Sequence, residues 1–257
     1  MTDAARREEL AGNLRAVRER IAEACRRAGR GADEVSLIAV TKTYPATDVV
    51  HLATLGATEI GENRDQEAAA KAAEVAATGV SVRWHFVGQL QRNKCKSVVT
   101  YADVVHSVDS VRLATTLADA AERHRDRELD VLVQVSIDDD PSRGGAVSAV
   151  GAAAGTPRAT PVGRRDDSEV DLDRVLAAVA QASSLRLRGL MAVAPMGWEP
   201  ERAFAALADI AAGCRANYPD ATWLSAGMSN DIEQAIHHGS THVRVGSALL
   251  GKRALLL

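Results

Sequence analysis

The sequence predicts an α/β fold, a single (β/α)8 barrel of the TIM type preceded by one additional helix. Two observations carry this. Short apolar runs alternate with helical periodicities eight times along the chain, and a long amphipathic segment precedes the first of them. A length of 257 residues suits one such barrel or two smaller domains equally, so the alternation decides. The whole of 1–257 is therefore expected to be one domain, with an open doubly wound sheet as the competing architecture.

The leading helix is expected over 2–27, where Leu10, Leu14, Val17, Ile21 and Ala24 recur at helical spacing among Arg and Glu. Gly29 and Gly31 end it. Strands are then expected over 37–40, 58–61, 82–87, 104–107 and 129–137. Helices over 48–55, 66–77, 90–100 and 111–124 lie between them, and Ser107 or Asp109 is placed to cap the last of these. Residues 138–168 break the pattern, being rich in Gly, Pro, Asp and Arg with only 146–154 weakly helical, and 155–168 reads as a flexible surface insertion. The alternation resumes with a helix over 170–182, a strand over 187–193 and a helix over 201–217. A very short strand at 223–225, a helix over 229–237, a strand at 241–245 and a terminal helix from Ser247 complete the set.

Composition excludes several classes. With 31 Lys plus Arg against 34 Asp plus Glu, the net charge of -3 provides no general attraction for nucleic acid or an anionic membrane. The N-terminal segment has neither the apolar run of a signal peptide nor that of an anchor, and no later run has membrane length. Cys25, Cys95 and Cys214 share no metal-binding or redox spacing and suit reduced thiols in a cytoplasmic protein. No Rossmann, P-loop, HExxH or GxSxG signature is present.

In an eight-strand barrel, Lys42, Asn63, His85, Ser107, Ser225 and Gly246 all fall at or just past strand C-terminal ends, where such barrels keep their sites. Lys42 is the sharpest case, since the apolar run Leu37-Ile38-Ala39-Val40 leads into it and Tyr44-Pro45 follows. The segment around Ser229 and the pair Gly246-Ser247 each bring small residues to an expected helix start, where free backbone N–H groups hold a phosphate. Arg244, two residues before Gly246, points toward the mouth by strand alternation and needs a partner, either a ligand or an acid such as Glu62. His85 and His106 lie on strands, with core packing and catalysis both open to them.

A lysine on one side of a barrel mouth and a phosphate seat on the other is what pyridoxal 5'-phosphate requires. Its aldehyde takes an amine, its phosphate takes amides and hydroxyls, and its ring nitrogen takes a polar side chain, here Arg244. A cationic arginine there disfavours protonation of the ring nitrogen and weakens the ring as an electron sink. A phosphosugar-binding or isomerising barrel with an electrostatic Lys42 is the alternative on residues alone.

The motifs AVTKTYP, IGENR, WHFVGQLQRNK, LSAGMSNDIEQAI and THVRVGSALLGKR, in this order over nearly the whole chain, closely resemble those of the pyridoxal-phosphate homeostasis protein family. That resemblance implies an alanine-racemase-like barrel with Lys42 as the Schiff-base lysine and Asn63 beside the cofactor. It also implies Ser225, Ser229, Gly246 and Ser247 around the phosphate and Arg244 at the pyridine nitrogen. By the same resemblance the protein buffers and delivers the cofactor, with apo pyridoxal-phosphate enzymes as recipients; a monomer without a metal is expected. Alanine racemases of this fold add a C-terminal domain whose tyrosine acts as the second base. The chain ends at Leu257, and its tyrosines are Tyr44, Tyr101 and Tyr218, so holding the cofactor is expected over racemase or lyase turnover. Ser142-Arg143-Gly144-Gly145 and Leu250 depart from the family pattern, and both departures concern the rim.

Overall fold

The computed structural model describes residues 2–138, 144–148 and 167–251. Its strands are β1 (Ser36–Val40), β2 (Glu59–Glu62), β3 (Arg83–Phe86), β4 (Val104–Val108), β5 (Leu129–Ser136), β6 (Ala146–Val147), β7 (Leu185–Met191), β8 (Trp223–Met228) and β9 (His242–Val245). All neighbours are parallel, in the order β4-β3-β2-β1-β9-β8-β7-β5, and a β4–β5 pairing closes the ring. Closure rules out the open sheet. β6 lies outside the ring, paired to the end of β5 and bridged through Val147 to Asp171.

Helices α1 (Asp3–Arg27), α2 (Ala46–Thr54), α3 (Asp65–Ala77), α4 (Cys95–Tyr101), α5 (Val111–His124), α6 (Leu172–Gln181), α7 (Pro200–Asn217), α8 (Ile232–His237) and α9 (Ser247–Leu250) surround the ring. Their apolar faces bury two clusters between helices and strands. One joins α4 through α7 to β4, β5 and β7, and the other joins α1, α2 and α3 to β1, β9 and the ends of α8 and α9. Within the ring, Val104, Leu132 and Met191 form a small apolar group with Trp223.

The leading helix braces the barrel where β8 and β9 turn outward. Thr2 caps α1, its hydroxyl accepting from Ala5 N at 3.3 Å. Arg6 pairs with Asp48 at 2.7 Å and donates to the Leu250 carbonyl at 3.0 Å, while Asn13 donates to the Leu249 carbonyl at 3.0 Å. Arg20 pairs with Glu233 at 2.5 Å and donates to the Ser229 carbonyl. Cationic side chains from α1 thus satisfy carbonyls that the end of α9 and the turn before α8 leave open.

Four expectations are corrected. Of the weakly helical stretch expected over 146–154, Ala146 and Val147 form the two-residue strand β6, because Gly145 packs against the Ser136 backbone and directs the chain along β5, and 149–154 lie outside the described residues. The strand expected at 223–225 runs on through Ala226 and Gly227 to Met228. The helix expected from Ser229 begins at Ile232, since Asp231 Oδ1 accepts from Met228 N at 2.5 Å and holds Ser229 and Asn230 in a turn. Helix α5 has Ser110 as its N-cap residue, and Ser107 is buried inside β4. Of the insertion read over 155–168, residues 155–166 lie outside the described set, and Asp167–Glu169 form a 3-10 turn.

A bulge sets the pitch of β7. Its register with β5 runs Val131 to Leu187 and then Leu132 to Gly189, leaving Arg188 as the extra residue, with its guanidinium 4.2 Å from the Trp223 ring centroid. Gly189 has φ +148, and a Cβ there would lie 1.9 Å from the Trp223 carbonyl oxygen. Gly189→Ala is expected to destabilise the barrel by about 3 kcal/mol through backbone strain and forced separation of β7 from β8, as read from a denaturant midpoint.

Candidate functional site

Lys42 lies two residues past the end of β1, in the turn after Thr41, and is exposed at the C-terminal mouth, while Ile38 and Val40 share one face of the strand below it. Opposite them is Gly61, where a Cβ would come within 2.9 Å of Ile38 and 3.3 Å of Val40. Glycine therefore lets β2 pack closely beside β1. Among the described residues Lys42 makes no hydrogen bond or ion pair.

The backbone on both sides of Lys42 is gripped from α3. Lys71 Nζ donates to the Thr41 carbonyl at 2.8 Å and to Glu62 Oε1 at 2.5 Å. Thr41 Oγ1 donates to the same carboxylate oxygen at 2.7 Å. Thr43, at φ +68, is in the left-handed region that a β-branched residue rarely occupies, and its N–H donates to Glu67. Glu67 also pairs with Lys71 at 3.2 Å. Glu62 and Lys71 are both buried, so this clamp is a low-dielectric ion pair and not a surface contact. Sequence reasoning missed it, because Glu67 and Lys71 four residues apart on a helix read as an exposed pair.

Arg244 lies inside the ring, 6 % exposed, and it does not meet Glu62, which belongs to Lys71. It donates to the Ser225 carbonyl at 2.7 Å, to Ser225 Oγ at 2.8 Å and to the Ala192 carbonyl at 2.9 Å. Burial pushes its pKa down to about 10, which leaves it cationic at neutral pH. The three bonds use three of the five guanidinium protons.

Gly246 ends β9 against β1, where a Cβ would lie 3.3 Å from the Val40 carbonyl oxygen. Ser247 opens α9, and its Oγ lies 3.5 Å from Ser229 Oγ in the turn after β8. The structure thus brings Lys42, Arg244, Gly246, Ser247 and Ser229 onto the three neighbouring strands β1, β9 and β8. Ser225 stands apart from the two rim hydroxyls, fully buried beneath Arg244. Asn63 follows β2 on the other side of Lys42, its Oδ1 buried without a hydrogen-bond partner among the described residues. Its backbone packs against Gly88, where a Cβ would lie 2.1 Å from the Asn63 carbonyl oxygen. A cleft of about 490 Å³ opens beside it, with Glu67, Phe86, Gln89 and Lys94 on its walls.

Of the three histidines on strands, His85, His106 and His242, the first two are joined inside the barrel. His85 Nδ1 lies 2.8 Å from His106 Nε2, and His106 Nδ1 lies 3.0 Å from Ser225 Oγ. Burial pushes both rings below the ordinary histidine pKa, His106 furthest because His85 and Arg244 add repulsion. Tyr44, the tyrosine next to the lysine in sequence, turns outward and donates its hydroxyl to the Gly251 carbonyl at 2.7 Å. Cys25, Cys95 and Cys214 are free and buried, and burial raises the last two to about 11, so they are inert thiols.

An amine at the mouth, a deep guanidinium with unused N–H groups, and two adjacent rim hydroxyls fit an aldehyde, a ring nitrogen and a phosphate held together. The fold is that of the barrels at the N-terminal end of alanine racemases: the profile described as "Alanine racemase, N-terminal domain" matches residues 12–159 and 165–254. Within that class the chain belongs to the pyridoxal phosphate homeostasis protein family. It is 46% identical to the Mycobacterium tuberculosis protein of that name, over 97% of this chain and 95% of the other. It is 37% identical to the Escherichia coli K12 protein of the same name, over 95% and 97%. A solved structure of PipY from Synechococcus elongatus with PLP bound superposes with a TM-score of 0.70 at 30% identity, covering 94% of this chain and all of that one. Among the described residues no helix is long and apolar enough to cross a membrane.

Proposed function

We propose that this protein holds pyridoxal 5'-phosphate in its barrel mouth, buffers the cofactor, and passes it to apo enzymes that need it. The observation that carries this is the placement of Lys42, an unpaired amine whose flanking backbone is clamped by Lys71 and Glu67, beside Gly246 and Ser247. The PLP-bound PipY structure and the names of the relatives support the same reading. When bound, the cofactor supplies an aldehyde for reversible bonding to an amine and a ring able to withdraw electrons.

Lys42 takes the aldehyde, Asn63 flanks the ring, and Ser229, Gly246 and Ser247 take the phosphate. Arg244 faces the pyridine nitrogen, and Ser225 supports Arg244 from below instead of joining the phosphate set. A cation at that nitrogen keeps it from accepting a proton, so the ring stabilises a substrate carbanion poorly. Tyr44, engaged with Gly251, offers no opposing base. Holding is the activity this arrangement suits. We assign it to a single cytoplasmic monomer domain spanning 1–257, with no metal and no nucleic-acid partner.

The test is to incubate the loaded protein with a panel of small L- and D-amino acids and, separately, with an apo pyridoxal-phosphate enzyme. The expected result is no racemised or cleaved product above that of free cofactor, together with activation of the apo enzyme. Amino-acid turnover that disappears in Lys42→Ala would overturn holding in favour of a racemase or lyase.

A further inference from the structure

Below Arg244 the barrel interior carries polar side chains that cofactor binding does not touch. Arg244 donates to Ser225 Oγ at 2.8 Å, Ser225 Oγ lies 3.0 Å from His106 Nδ1, and His106 Nε2 lies 2.8 Å from His85 Nδ1. His85 Nε2 then lies 2.5 Å from Glu59 Oε2, at the first residue of β2 and the opposite end of the barrel. Ser225, His106 and His85 are all buried, in a layer that apolar residues fill in ordinary barrels. Buried polar groups are tolerable only when every member is satisfied, which constrains where the protons are.

The two ends settle the direction. Burial raises the Glu59 carboxyl, but the His85 hydrogen bond and nearby positive charge outweigh it and hold the group below its usual range. An ionised carboxylate only accepts, so His85 Nε2 carries the proton that faces it. A neutral His85 then has a bare Nδ1 and accepts from His106 Nε2–H. A neutral His106 has a bare Nδ1 and accepts from the Ser225 hydroxyl. Ser225 Oγ, with its proton directed to His106, turns its lone pairs to Arg244.

We propose that Glu59, His85 and His106 are positioning residues for Arg244: their one-directional chain of hydrogen bonds orients Ser225 as an acceptor and so aims the free guanidinium N–H groups at the pyridine nitrogen. This rests on the reading that Arg244 faces that nitrogen. With the chain reversed, His106 Nδ1–H would occupy a lone pair of Ser225 Oγ, and the Ser225 proton would lose its acceptor. Arg244 would then share Ser225 Oγ with a second donor, each on one lone pair, and the buried hydroxyl proton left unpaired would press Ser225 to turn away from this geometry.

Two measurements test this. The first uses the cofactor-free wild-type protein: nitrogen NMR of the two imidazoles at neutral pH is expected to show protonated Nε2 and bare Nδ1 in both His85 and His106. A proton on Nδ1 of His106 overturns the proposal. The second compares His106→Leu with His106→Asn, whose Oδ1 replaces Nδ1 as acceptor for Ser225. His106→Leu is expected to weaken cofactor retention about tenfold and to alter the visible spectrum of the lysine-bound cofactor, while His106→Asn stays within about twofold. Unchanged retention and spectrum in a folded His106→Leu overturn the chain but leave Lys42 as the attachment point. Should the Leu variant not fold, the NMR result alone decides. Failure of wild-type Lys42 to bond the cofactor would instead remove the holding reading, with the ring protonation still readable.

Discussion

Lys42→Ala is expected to abolish the visible absorption of lysine-bound cofactor and to weaken retention about a hundredfold or more, on the order of 3 kcal/mol. The residual affinity comes from Ser229, Gly246, Ser247 and Arg244, which hold the phosphate and ring without a covalent bond. Fold stability is expected to change by less than about 0.5 kcal/mol, because the side chain is exposed and makes no hydrogen bond or ion pair among the described residues. Lys42→Arg sharpens the test. Arginine keeps the positive charge but does not bond an aldehyde, so covalent retention is lost equally in both variants. If Lys42→Arg retained cofactor as the wild type does, Lys42 would act through charge alone, as in a phosphosugar-binding barrel. Absorption spectra and equilibrium dialysis read the outcome directly.

Lys71→Met is expected to cost about 3 kcal/mol of stability, and to lower the melting temperature on the order of 10 °C. Methionine keeps most of the stem's packing but leaves Glu62 buried without its cation and the Thr41 carbonyl with the Tyr44 N–H as its remaining donor. Burial already raises the Glu62 carboxyl, and loss of the Lys71 cation raises it further, so the group protonates more readily and the loss is limited. The double variant Lys71→Met, Glu62→Gln is expected to recover a large part of the stability by removing the uncompensated charge. It is not expected to recover cofactor bonding at the wild-type rate, because the Thr41 carbonyl keeps only the Tyr44 N–H as a donor and Thr43 keeps its strained φ of +68 with one support fewer. A single Lys71→Met variant that melts with the wild type would show that water reaches Glu62 and that the clamp is not a buried one.

Much of the ring could be read from the chain because parallel strands buried on both faces give unbroken apolar runs, as in Leu37-Ile38-Ala39-Val40. Where the chain departs from that rule the reading failed locally. Ala226-Gly227-Met228 lacks an apolar run, so β8 looked half its length. Ser229 is a residue type that often caps helices, yet the side chain of Asp231, two positions on, accepts from Met228 and delays α8. Ala146-Val147 is too short to carry a period at all. At the site, Lys42, Arg244 and Gly246-Ser247 were legible because each sits at or just inside a strand end. The clamp of Lys71, Glu62 and Glu67 and the chain from Glu59 to Arg244 were not, since both depend on contacts between neighbouring elements. Periodicity says that His85 and His106 lie on strands, but only register puts His85 Nδ1 against His106 Nε2.

Holding of the cofactor depends on one covalent bond, at Lys42. The wild-type protein, loaded with pyridoxal 5'-phosphate, would be reduced with borohydride, digested, and its peptides weighed. A pyridoxyl group is expected on the peptide carrying Lys42 and on no other. Its appearance on Lys71, Lys94 or another lysine, or the absence of any modified peptide from a protein that had bound the cofactor, would contradict attachment at Lys42.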